Sequence, residues 1–118
     1  HCQCAKTTRL LKERLGWSDD QLVSTFQSRF GPEEWLKPYT VDHVADLAKQ
    51  GKKNIAVIAP AFSADCIETL EEINEEIKES FEDAGGETFT YIPCLNDDAA
   101  HIAALGTVIE ENLRGWLD

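Results

Sequence analysis

At 118 residues the chain is long enough for one compact domain with its own core and too short for two. Its 22 acidic residues against 11 basic ones leave a formal charge of -11, a field that repels phosphate backbones and excludes nucleic acid as a natural partner, whereas a cation or a largely apolar ligand suits it. No apolar run approaches the roughly 20 residues that span a bilayer and no signal-peptide pattern is present, so the chain is expected to be soluble and cytoplasmic; without Met and beginning at His1, it reads as a fragment or a processed chain.

In chain order, Ala5, Leu10, Leu11 and Leu15 are spaced for a helix from residue 2 to about 16, with Gly16 suited to its C-terminal cap. Residues 22–27 (Leu-Val-Ser-Thr-Phe-Gln) are short and β-prone and predict a strand. Gly31, Pro32 and Pro38 break the stretch from Ser28 to Tyr39 into a loop. Thr40 caps an expected helix from Val41 to about Gln50, with Val44, Leu47 and Ala48 inward. Ile55-Ala56-Val57-Ile58-Ala59 is apolar on both faces, the mark of a strand buried in a parallel sheet. The strongest helix runs from about Cys66 to Ala84, where Ile67, Leu70, Ile73, Ile77 and Phe81 recur at three- and four-residue steps and Gly85-Gly86 ends it. Residues 88–93 form another strand, and Asn96 to Asp98 cap a last helix reaching towards Leu117.

Alternation of helix and strand predicts an α/β fold, a doubly wound parallel sheet of the flavodoxin or Rossmann three-layer type with helices on both faces. Three strands make a thin sheet, and a fourth from before His1 would complete it. Ligands of such sheets bind past the C-terminal strand ends, here Gln27–Arg29, Pro60–Glu68 and Cys94–Asp98.

The helix that starts near Asp65 carries the candidate carboxylates, and spacing alone does not decide between their readings. Glu68 and Glu72 lie one turn apart on one face, and with Asp65 they can line a cleft as a ladder of hard oxygen ligands that conducts hydrated divalent cations or relays protons without trapping the metal as thiolates would. The competing readings are a capping box, Asp65-x-x-Glu68, and a solvated face, the latter preferred for Glu75, Glu76 and Glu79. Trp35 in its loop reads first as a packing anchor, although an indole also suits stacking on a planar macrocycle. His43 and His101 fall on helices with no partner at ligand spacing and read as surface residues. Cys2-Gln3-Cys4 lacks the second ligand pair of a typical zinc site, so the four cysteines read as reduced, unliganded thiols.

Three stretches taken together resemble the ferrochelatase family: Phe26-Gln27-Ser28-Arg29-Phe30-Gly31 leading into Trp35-Leu36-Lys37-Pro38; Phe62-Ser63-Ala64-Asp65-Cys66-Ile67-Glu68-Thr69-Leu70; and Leu95-Asn96-Asp97-Asp98. The middle one is the most specific, and the resemblance covers essentially the whole chain. It implies that residues 1–118 are the C-terminal domain of a two-domain enzyme that inserts ferrous iron into protoporphyrin IX, the first strand and the N-terminal domain being absent. Glu68 would be the cleft glutamate facing the porphyrin, Glu72 the next acid, and Asp65 their neighbour. Trp35, Gln27, Ser28 and Arg29 would belong to the porphyrin pocket, with Glu68 and Glu72 as the metal-handling pair.

Two departures accompany the resemblance. Cys66 stands where many members carry His, and the family's active-site histidine lies in a motif before the segment that opens this chain, so the piece alone is expected to be inactive. The family's iron–sulfur cluster, where present, uses cysteines near the C-terminus, and Arg114-Gly115-Trp116-Leu117-Asp118 has none, so the chain does not support one. Rival readings are an acidic flavodoxin-like binding module and a chelatase for another tetrapyrrole or metal. Oligomeric state and peripheral membrane association are not legible in the residues.

Overall fold

A computed structural model describes residues 2–28 and 31–116. Helix α1 spans Cys2–Leu15, and Gly16 beyond it takes a φ of 67°, the left-handed turn that stops a helix. Helix α2 follows at Thr40–Lys49, then strand β1 at Asn54–Ile58. A π-helix at Glu68–Ile77 continues directly into α3, Lys78–Asp83. Strand β2 is Thr88–Ile92 and helix α4 is Ala99–Asn112, its first turn capped by Asp98, whose carboxylate accepts from the Ala100 and His101 amides.

β1 and β2 pair in parallel, in register from Asn54 with Thr88 to Ile58 with Ile92. The expected third strand at residues 22–27 is not one. Phe26 makes a single parallel bridge to Tyr39: its amide donates to the Pro38 carbonyl at 2.9 Å and its carbonyl accepts from the Thr40 amide at 3.0 Å. Proline has no amide hydrogen, so the segment cannot extend that bridge into a ladder through Pro38.

The core is small and lies on one face of the sheet. Val44 and Ala48 of α2 meet Ile73 and Ile77 of the π-helix and Phe81 of α3, with Ile55, Val57, Phe89 and Tyr91 packed beneath them. The Phe81 and Phe89 rings sit 6.1 Å apart, tilted by 55°, a favourable aromatic arrangement. Burial alternates along both strands, so Ala56 and Ile58, expected to be buried, are exposed. Among the described residues the fold is thus α/β with a two-stranded parallel sheet, and the three-layer arrangement does not extend to the second face.

The long helix departs from the expected phase. Its buried residues are Thr69, Ile73, Ile77 and Phe81, at steps of four, while Ile67 is 65% exposed and Leu70 49%. The cause is the wider π-turn, closed by i→i+5 bonds, in which three-residue steps rotate away from the core and four-residue steps stay on it.

Candidate functional site

Because the strands are parallel, their carboxyl ends share one edge of the sheet, and the two loops leaving that edge are joined to each other. The Asn96 amide donates to the Ser63 carbonyl at 3.0 Å. The Asn96 side chain bridges back to Asp65, accepting from the Asp65 amide through Oδ1 and donating to Asp65 Oδ2 through Nδ2, both at 2.8 Å. Asn96 does this with φ at 49°, a left-handed backbone that asparagine tolerates better than most residues.

Asp65 is the hub of this edge. Its Oδ1 accepts from the Tyr91 hydroxyl at 2.6 Å and the Cys94 amide at 3.3 Å, and lies 3.0 Å from the Thr69 hydroxyl. These donors, Tyr91 and Asn96 foremost, hold Asp65 ionised well below the usual carboxylate range against the opposing effect of burial. Burial and the bond to Asp65 push the Tyr91 phenol far above its ordinary value, and burial raises the Cys94 thiol as well. No side chain caps the π-helix, so the capping-box reading of Asp65 and Glu68 does not hold; the Asp65 carboxylate is engaged across the loops instead.

One turn on, the expected acidic pair stands half-buried, with Thr69 and Ile73 beneath it. The Cys66 thiol beside Glu68, aided by Glu68's own backbone amide, lowers the Glu68 pKa. Gln27 Nε2 donates to the Glu68 carbonyl at 2.9 Å and to Glu72 Oε2 at 3.3 Å, and the Ser28 hydroxyl also donates to Glu72 Oε2. The structure therefore brings Gln27, Ser28, Glu68 and Glu72 into one group from segments more than forty residues apart. Glu71, Glu75, Glu76 and Glu79 are exposed, the solvated face expected of the last three. Trp35 stands in the following loop, 38% exposed, outside this hydrogen-bonded group, and Arg29 lies outside the described residues.

Cys94 and Asn96 fall in the strand-end segment Cys94–Asp98 expected to meet ligands, whereas nothing in the sequence marks Tyr91 or Thr69 as part of the site. Strand periodicity marks Tyr91 only as core-facing, and nothing local shows that its hydroxyl ends beside Asp65. His101, expected at the surface, is half-buried: Nδ1 lies 2.8 Å from the Asn96 carbonyl and Nε2 3.0 Å from the Ser63 hydroxyl. The His43 Nε2, likewise expected at the surface, is buried without a hydrogen-bond partner among the described residues. Cys2 and Cys4 are exposed on α1, and all four cysteines are free. Among the described residues no three His, Cys, Asp or Glu side chains gather as a metal-ligand group. Surface depressions of about 510 and 590 Å³ lie beside α1 and α2, lined by neither Glu68 nor Glu72.

The chain is a parallel α/β unit, the class of fold whose ligands sit past the carboxyl ends of the strands, and the Glu68–Glu72 turn follows β1 on that side. The chain belongs to the ferrochelatase family, whose sequence model matches residues 1–113. It is similar to the ferrochelatases of Rhodobacter capsulatus (74% identical over 118 residues, all of this chain and 34% of the relative), Marinobacter nauticus (59% over 116 residues, 98% and 31%) and Rhizobium meliloti (59% over 117 residues, 99% and 34%). The chain thus spans about a third of the length of these curated relatives. No helix among the described residues is long and apolar enough to cross a membrane.

Proposed function

We propose that this chain is the C-terminal part of an enzyme that inserts ferrous iron into protoporphyrin IX to form protohaem, the last step of haem biosynthesis. The observation that carries the reading is the convergence of Gln27 and Ser28 on the Glu68–Glu72 turn at the edge where parallel sheets bind ligands. On this reading residues 27–29 and Trp35 form one wall of the porphyrin pocket, Arg29 by its place in the sequence. Glu68 and Glu72 face the macrocycle.

The reaction exchanges two pyrrole N–H protons for one Fe²⁺, so two protons leave for each metal that enters. The metal must shed water and find lone pairs, which a bent macrocycle exposes. An acidic wall serves both demands: carboxylates bind a hard divalent cation weakly enough to release it, and they accept protons. Glu68 and Glu72 hold the metal or carry protons on this wall, while the principal base comes from the part of the longer enzyme that precedes this segment. The segment alone is inactive because half of the cleft is absent from it. The enzyme works in the cytoplasm, where free thiols stay reduced.

The test is metal insertion by the full-length protein, followed by the absorption change of the porphyrin. Turnover with protoporphyrin IX and Fe²⁺ or Zn²⁺ is expected. Turnover only with sirohydrochlorin, or with cobalt or nickel alone, would reassign the substrate, and no tetrapyrrole binding at all would leave an acidic binding module.

A further inference from the structure

Asp65 and Glu68 begin the same helical segment, yet their surroundings differ in kind. A carboxylate offers roughly four lone-pair sites. Asp65 Oδ1 meets the Tyr91 hydroxyl, the Cys94 amide and the Thr69 hydroxyl, and its Oδ2 meets the Asn96 amide nitrogen, so both oxygens are engaged by protein donors. A carboxylate held in this way is a weak base for moving protons. What it does hold is the start of the helix. Thr69, fully buried, is the first inward residue of the π-helix; its hydroxyl accepts from the Cys66 amide at 3.0 Å and lies against Asp65. Glu68 directly precedes Thr69, and Glu72 follows one turn later, so rotation of this turn moves both.

The far side of the clamp is rigid. Tyr91 sits on β2, paired residue for residue with β1, and Asn96 is tied to the Ser63 carbonyl, the Cys94 carbonyl and the His101 ring as well as to Asp65. We infer that Tyr91 and Asn96 are positioning residues of the acidic site: acting through Asp65 and Thr69, they fix where the π-helix begins and so where Glu68 and Glu72 stand. The inference rests on the chelatase reading above. It assigns Asp65 to holding the site rather than to carrying protons or metal.

The test uses Tyr91→Phe and Asn96→Asp in the full-length protein, with two readouts. The first is zinc insertion into protoporphyrin IX, assayed well below the melting temperature. Misplacing the carboxylates should lower kcat by about 10- to 100-fold and leave KM for the porphyrin within twofold, a split that a purely structural weakening would not produce. The second readout needs no activity: the Thr69 and Leu70 amides, both bonded to the Cys66 carbonyl, should exchange faster with solvent while the β1 amides do not. Wild-type kcat in either variant, or unchanged exchange at Thr69 and Leu70, overturns the inference. If Tyr91→Phe does not fold, Asn96→Asp carries both readouts. Failure of the wild-type protein to metallate any porphyrin sinks the chelatase reading alone, since the exchange readout still decides whether the clamp sets the turn.

Discussion

The Cys66 thiol, ahead of Glu68's own amide, favours the ionised form of Glu68. The Cys66 side chain stabilises the charged form of the carboxylate, so the pKa lies below its ordinary value. Cys66→Ala removes that donor, and the Glu68 midpoint should rise towards the usual range near ~4.3. Carboxyl-carbon NMR titration of the folded protein measures it, and an unmoved midpoint would show that the thiol does not matter. Asp65 makes the complementary case for stability. Its folded pKa is lowered, so its contribution is fully present above the unfolded value of ~3.9 and is lost as pH falls through and below that value. Asp65→Asn should therefore lower stability at neutral pH and flatten the acid limb of a denaturation series between roughly pH 4 and pH 2. An acid limb identical in the two proteins would mean that other carboxylates carry it.

At the scale of elements, the helices α1, α2 and α4, the strands at residues 54–58 and 88–92 and the capping Asp98 were all legible, because each is written in local periodicity or in a cap. Two features were not. The strand at residues 22–27 failed because β-propensity cannot say which partner a segment meets, and Phe26 meets Tyr39 beside a proline. The π-turn failed because its residues also satisfy an α-helical pattern; only the exposure of Ile67 and Leu70 reveals the wider turn. For the site, Glu68 and Glu72 were readable from spacing, whereas Tyr91 and Asn96 reach Asp65 across 26 and 31 residues, beyond any local pattern. At the opposite end of the sheet, between α3 and β2, packing is tight. A methyl group at Gly86 would stand 2.2 Å from Cε1 of the fully buried Phe81 ring, which has nowhere to go. Gly86→Ala should cost about 1–3 kcal/mol or more and lower the melting temperature by several degrees; an unchanged melt would place Phe81 elsewhere.

The molecule as a whole is too open for its length. Its radius of gyration is 16.7 Å, against about 13–14 Å for a compact chain of this size. Among the described residues one sheet face is uncovered, and Ile102, Leu105, Val108 and Ile109 of α4 are exposed. Such surfaces associate in water. The isolated chain should accordingly self-associate in sedimentation and give no metal insertion above the no-protein rate; turnover by the segment would show that Glu68 and Glu72 suffice. The most direct test of the central claim removes one charge from the acidic wall of the complete protein. In Glu68→Gln the volume is kept and the carboxylate lost, so zinc insertion into protoporphyrin IX should fall by about 100-fold or more, with porphyrin affinity and melting temperature near wild type. Turnover close to wild type in that variant would contradict the account.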